Sequence, residues 1–342
     1  MKTSKSLAYL VFAIGMLGSL ANAEVLVHPI YVKKLPDQAI VVKAKTFSIF
    51  PLGDFEKGDL FRVDVNVLND VYKDLSVYVV DAANMALVRQ SVPFSGQGQT
   101  RKVAPFRIDA KATVPGPHFL VFDNRYANII DKKVVFRVQL AVRLSEEKVQ
   151  AMKADLGLAY SGLKRMFQFK DFNIKVQPCG MSNAFSETAT GDVTLCTEIL
   201  DEMSEQKPAM GAIVLHELGH TLLNLWGLPN YGNEDDADQF ATVILLKSGE
   251  KGKQALFQWI NWYAKRDSRA EATNMLTRGD THSLSVQRIR NIQATMTNAE
   301  DLIKRWNNIL YPHMTVEALR SIIAAPGLHD DTTLAKKEIS KR

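Results

Sequence analysis

The apolar residues of this chain change their period near residue 144, and no other feature constrains its fold as much. Before that point they alternate with polar residues in short runs, as in Leu60-Phe61-Arg62-Val63-Asp64-Val65-Asn66-Val67 and Lys133-Val134-Val135-Phe136-Arg137-Val138-Gln139-Leu140. A period of two matches a strand that buries one face. Shorter β-rich runs cover residues 40–42, 75–80 and 119–122, and Pro51-Leu52-Gly53-Asp54, Ser95-Gly96-Gln97-Gly98 and Pro115-Gly116-Pro117 read as turns between them. The pattern predicts an antiparallel β-sandwich over residues 24–144. From Ser145, placed as a helix N-cap, the period lengthens to that of a helix through residue 167. Residues 172–177 and 193–196 then read as a hairpin-like pair of strands, and 208–226 as an apolar helix. The expected fold class is α+β: the sandwich, an α+β domain over 145–325, and a flexible Asp- and Lys-rich tail over 326–342.

Residues 1–23 hold Lys2 and Lys5, an apolar run over 7–20, and Ala21-Asn22-Ala23, which together read as a cleavable signal peptide. The run is shorter than the roughly 20 residues that span a bilayer. No later segment reaches that length without charges, so the expectation is an exported protein, periplasmic or secreted, with no membrane span. The formal charge of +5 includes those two lysines and is too small to indicate a nucleic-acid partner. Outside the cytoplasm the two cysteines, Cys179 and Cys196, are expected to form a disulfide. Neither has a Cys or His partner at zinc-ligand spacing. In the first half His28 and His118 stand alone, and His118 reads as an exposed strand-end residue. A module docking an envelope partner is the expectation for that half.

The residues that suggest chemistry are His216-Glu217-Leu218-Gly219-His220, inside the predicted helix 208–226. Histidines four apart on a helix share a face, so both imidazoles can bind one Zn²⁺. Glu217 stands beside the first, where a carboxylate can take a proton from activated water. A catalytic zinc usually keeps three protein ligands and one open position, so a third ligand is needed. After a break over 227–232, a second helix opens with Glu234-Asp235-Asp236-Ala237-Asp238. A helix returning antiparallel to the first brings Glu234 to the histidines, with Asp235 as the rival ligand. Asp238, one turn on, can accept the second ring N–H of a ligand histidine. An acidic first turn is also what the helix dipole favours, but its coupling to the histidine helix favours the ligand reading. Trp259, Trp262 and Tyr263 lie at i, i+3 and i+4 and read as core.

His-Glu-x-x-His followed by Glu-x-x-x-Asp resembles the gluzincin branch of zinc metallopeptidases. A bacterial family of metallopeptidase-like proteins is more similar still, over about residues 145–300. The resemblance is carried by Cys179-Gly180, Asn183-Ala184-Phe185, Leu195-Cys196, residues 216–220, Leu228-Pro229, residues 234–241, Thr281-His282-Ser283-Leu284, Gln287-Arg288 and Asn291-Ile292. It implies a zincin-like α+β metallopeptidase domain that hydrolyses peptide bonds in a peptide or protein substrate, with the β-rich half as an addition. His216, His220 and Glu234 would hold Zn²⁺, with Glu217 as general base and Asp238 orienting a ligand. Peptide hydrolysis also needs a donor for the developing oxyanion. His282 is the candidate, with Tyr231 and Arg288 as rivals. Residues 193–196 are expected to be an edge strand that pairs with an extended peptide. Two other readings stay open: a non-catalytic envelope-binding protein with structural or no zinc, and a zinc amidase acting on cell-wall material.

Overall fold

The computed structural model describes residues 24–68, 73–266, 285–324 and 329–342. The chain is mixed α+β and divides into two units. One is Pro29–Glu146, and the other joins the residues through His28 to Glu147–Arg342. The first strand, β1 (Val25–Val27), therefore belongs to the second unit and not with the strands that follow it, where its sequence position suggested.

The first unit contains two antiparallel sheets. In one, β10 (Lys132–Arg143) pairs with β2 (Ile30–Lys34), β3 (Gln38–Val42) and β5 (Leu60–Val67), and β5 pairs with β8 (Phe106–Lys111). In the other the order is β4 (Phe47–Phe55), β9 (Gly116–Asp123), β6 (Asp74–Asp81), β7 (Gln97–Val103). Alternation decides which face is inward: Phe61, Val63, Val65 and Val67 of β5 are buried while Leu60, Arg62 and Asn66 are exposed. These side chains share one core with Val77 and Val79 of β6, Leu120 and Phe122 of β9, and Phe136 and Val138 of β10.

Two local readings change, and one helix is added. The turn expected at residues 51–54 is a β-bulge inside β4, between Pro51 and Gly53. A helix, α1 (Ala82–Arg89), follows β6 and is capped by the Asp81 carboxylate, which accepts from Asn84 N–H at 2.8 Å. His118 is buried and not exposed, because it lies on the inward face of β9 against Phe55 and Phe61.

The second unit has a four-stranded sheet in the order β1, β11 (Ile174–Gln177), β13 (Val193–Cys196), β12 (Ala184–Ser186). β11 and β13 run parallel, so the expected hairpin is corrected. The intervening segment supplies β12, which pairs antiparallel with β13. β13 is thus interior and buried throughout, and β12 holds the edge position expected for it. The Cys179–Cys196 disulfide forms as expected.

The helices are α2 (Glu146–Met166), α3 (Thr197–Glu202), α4 (Lys207–Leu225), α5 (Glu234–Lys247), α6 (Glu250–Ala264), α7 (Ser285–Thr297), α8 (Ala299–Leu310), α9 (Val316–Ala324) and α10 (His329–Ser340). Trp259, Trp262 and Tyr263 are core, as their spacing predicts. The tail reading is corrected by α10, whose Ala335 is fully buried and whose Leu334 and Ile339 pack on the same core. No helix among the described residues is long and apolar enough to cross a membrane.

Candidate metal centre

Helix α4 is apolar almost all round, as a helix enclosed by neighbours must be. It ends at Gly227, whose φ of 69° is the left-handed conformation that stops a helix at low cost in glycine. Asn233 then caps α5, accepting from the N–H of Asp235 at 2.8 Å. This puts Glu234 at the first position of α5, beside His220, and Asp238 one turn along, beside His216.

Gly219 permits the approach. A Cβ there would stand 3.2 Å from the Cα of Ala237 and 3.3 Å from its carbonyl oxygen. The residue between the two histidines thus lets α5 come close enough for its acids to reach them.

The donor atoms converge. His216 Nε2 and His220 Nε2 are 3.1 Å apart, and the Glu234 carboxylate oxygens stand 3.2 Å from the first and 3.3 Å from the second. Four ligands about 2.0–2.1 Å from a tetrahedral zinc are separated by about 3.3 Å. The nitrogens, and each nitrogen with its nearer carboxylate oxygen, are thus about as far apart as ligands of one zinc, and the donor set of two imidazoles and a carboxylate suits that ion.

The far nitrogens are held as well. His220 Nδ1 lies 2.6 Å from the carbonyl oxygen of Tyr231, and His216 Nδ1 lies 2.8 Å from Asp238 Oδ1. A ring N–H donated to either acceptor leaves Nε2 with its lone pair toward the converging atoms. Burial pushes the His220 pKa down, but the hydrogen bond its ring donates to Glu234 and the charges of Glu217 and Glu234 outweigh it, and the net shift is upward. The pocket favours positive charge. For Asp238, burial works to raise the pKa, but Arg288 and His216 prevail and hold the carboxyl below the usual range.

The expected residues sort as follows. His216, His220 and Glu234 come together, and Asp238 stands against His216. Asp235 turns to Asn291, whose side-chain amide donates to it at 2.6 Å. Glu217 is buried on α4, and its charge acts on His220. His282 lies outside the described residues. Tyr231, considered in the sequence for its ring, contributes its backbone carbonyl.

Arg288 of α7, named in the sequence only as a rival oxyanion donor, stands against Asp238. It is 4% exposed, its Nε donates to Asp238 Oδ2 at 3.0 Å, and one terminal nitrogen donates to Asp238 Oδ1. The same nitrogen is 2.9 Å from His216 Nδ1, and the other is 3.8 Å from Glu234 Oε2. The rings of Tyr263 and Trp259 lie under the guanidinium at 4.7 and 5.8 Å.

Residues 143–298, which contain all of these side chains, match the model of a protein family described as "Putative metallopeptidase". No curated protein matches the chain. Among solved structures, FLHE is 8% identical with a TM-score of 0.25, covering 34% of this chain and 100% of its own. A functionally unknown conserved protein from Bacillus anthracis is 11% identical with a TM-score of 0.22, covering 69% of this chain and 61% of its own. A serine protease of Aeromonas sobria is 11% identical with a TM-score of 0.19, covering 33% and 27%. At such scores these likenesses carry no argument about fold or activity.

Proposed function

We propose that this chain is an exported zinc metallopeptidase. The observation that carries the reading is the convergence of His216 Nε2 and His220 Nε2, 3.1 Å apart, on the Glu234 carboxylate, one oxygen of which stands 3.2 Å from the first and the other 3.3 Å from the second. When bound there, zinc supplies Lewis acidity, polarising a carbonyl and making water a nucleophile near neutral pH. Glu217, buried on the same helix, would be the base that takes a proton from water and passes it to the leaving amine. Asp238 and the Tyr231 carbonyl hold the two imidazoles in the tautomer and orientation that ligation requires. His282 remains our assignment for the oxyanion donor, on the sequence alone.

β12 suggests how an extended peptide enters. It is the last strand of its sheet, and Ser186 is tied to Thr221 of α4 by a 2.7 Å hydroxyl bond. The strand packs on the helix that carries the histidines, so a peptide added at its outer edge would extend the sheet over that helix's unit. The disulfide fits an oxidising compartment, which supports export.

The test is the metal content of the protein from Glu24 onward, purified without chelator, beside His220→Ala. About one zinc per chain in wild type, lost in the variant, supports the site. Cleavage of a peptide library by wild type but not by Glu217→Ala then supports the reaction. Cleavage of cell-wall amides alone would move the reading to an amidase, and no zinc in wild type would sink it.

A further inference from the structure

The geometry points to Arg288 as the positioning residue that makes Asp238 an effective partner for His216, and so sets zinc affinity through a side chain that does not touch the metal. The inference rests on the reading of His216, His220 and Glu234 as zinc ligands.

Asp238 is 2% exposed, and nothing that near the core can keep a lone carboxylate ionised. Its Oδ1 stands 2.8 Å from His216 Nδ1, where accepting the ring N–H fixes Nε2 toward the metal. Arg288 supplies the balancing charge in the form that suits a carboxylate: two donors of a planar fork on its two oxygens. The fork is itself immobilised. Tyr263 and Trp259 lie under its plane, and Asn291, one turn along α7, bonds to Asp235 on α5.

Charge balance supports the same role. Glu217, Glu234 and Asp238 bring three negative charges to one buried cluster. A divalent cation and one arginine neutralise them, whereas the cation alone leaves one in excess. Bare repulsion between Arg288 and the metal would act in the opposite direction and weaken binding. The two accounts predict opposite signs when Arg288 is removed.

The experiment measures zinc dissociation constants by chelator competition for wild type, Arg288→Lys and Arg288→Met, with circular dichroism of the metal-free proteins as the check on folding. Zinc binding should weaken by about 10–100-fold in Arg288→Met, and less in Arg288→Lys, which keeps the charge and loses the fork. The visible spectrum of the cobalt-substituted protein should shift in both, because it reports ligand orientation and not stability. Adding Arg288→Lys to Asp238→Asn should then cost nothing more, since the arginine acts through that carboxylate. If Arg288→Met does not fold, Arg288→Lys and the pair with Asp238→Asn decide. Unchanged or tighter zinc binding with an unshifted cobalt spectrum, or losses that simply add, would overturn the role of Arg288 alone. Failure of wild type to bind zinc would overturn the ligand reading, and this inference with it.

Discussion

Acidic and basic side chains meet in both units of the molecule, in opposite surroundings. On the outer face of the sheet that contains β5, Arg62 meets Asp109 at 2.8 Å, Arg107 meets Asp64 at 2.7 Å, and Arg137 meets Asp37 at 2.8 Å, all exposed. In the second unit, Asp238, His216 and Arg288 meet at similar separations with almost no exposure. Bond length does not distinguish the two sets, but solvent does. Water screens the first set and makes each pair worth little. In the second set each group depends on the others, because a buried charge without a partner is costly. The exposed pairs keep the outer face of the sheet polar, and the buried set holds a geometry.

The comparison can be broken by making the same truncation in both places. Asp238→Ala should destabilise the metal-free protein by about 3–5 kcal/mol in urea unfolding, because it strips the buried Arg288 of the carboxylate that takes both prongs of its fork. A loss below about 1 kcal/mol would place this site with the surface pairs. The next largest effect is on metal binding. His220 must lose its proton to serve as a ligand, and its pKa lies above the ordinary imidazole value. Zinc affinity should therefore be flat at alkaline pH and fall about tenfold per unit once pH drops below that pKa, beginning above about 6.5. Chelator competition at a series of pH values checks this, and an affinity that holds steady down to pH 5.5 would refute it.

A smaller effect is expected at Gly219. Alanine gains about 1 kcal/mol of helix propensity, but its Cβ would crowd the backbone of Ala237, where overpacking costs about 1–3 kcal/mol. Gly219→Ala should be net destabilising by about 1 kcal/mol and should loosen zinc binding by separating Glu234 from the histidines. A more stable variant with unchanged zinc affinity would show that α4 and α5 do not need this approach. The smallest effect should be Asp64→Ala, at about 0.2–1 kcal/mol, shrinking in high salt. A value near that of Asp238→Ala would remove the distinction between the two units.

What could be read from the sequence follows the range of the interactions. The alternation of β5 and the pair His216 and His220 are local patterns, and both survive in the structure. The choice of Glu234 over Asp235 lies outside local pattern, because it depends on how α5 returns along α4 and on Asn291, 56 residues further on, engaging Asp235. Arg288 stood in the sequence only as a rival oxyanion donor, and its pairing with Asp238 and His216 is hidden for the same reason: it is 72 residues from His216, beyond any local pattern. The parallel pairing of β11 with β13 is a further case. Two short apolar runs with a turn between them look like a hairpin until a third strand is found in the turn. α10 was missed because its apolar residues, Leu334, Ala335 and Ile339, are few and set among lysines, and only burial identifies them.

The pairing of β1 with β11 has a consequence for how the chain is assembled. Val25 lies opposite Ile174, and between them runs the whole of the first unit, whose own ends are brought together where Leu144 N–H donates to the Pro29 carbonyl at 2.7 Å. The β-rich unit is thus an insertion, entered and left at nearly one point, within a helical unit that begins before it and closes after it. As the chain is synthesised, three residues of β1 must wait for a partner about 149 positions later. A truncation that begins at residue 145, the natural cut from composition, would remove a strand of the unit that holds His216, His220 and Glu234 and leave the edge of β11 open to any other strand. Joining residue 28 directly to residue 147 through a short linker excises the insertion and keeps the sheet whole.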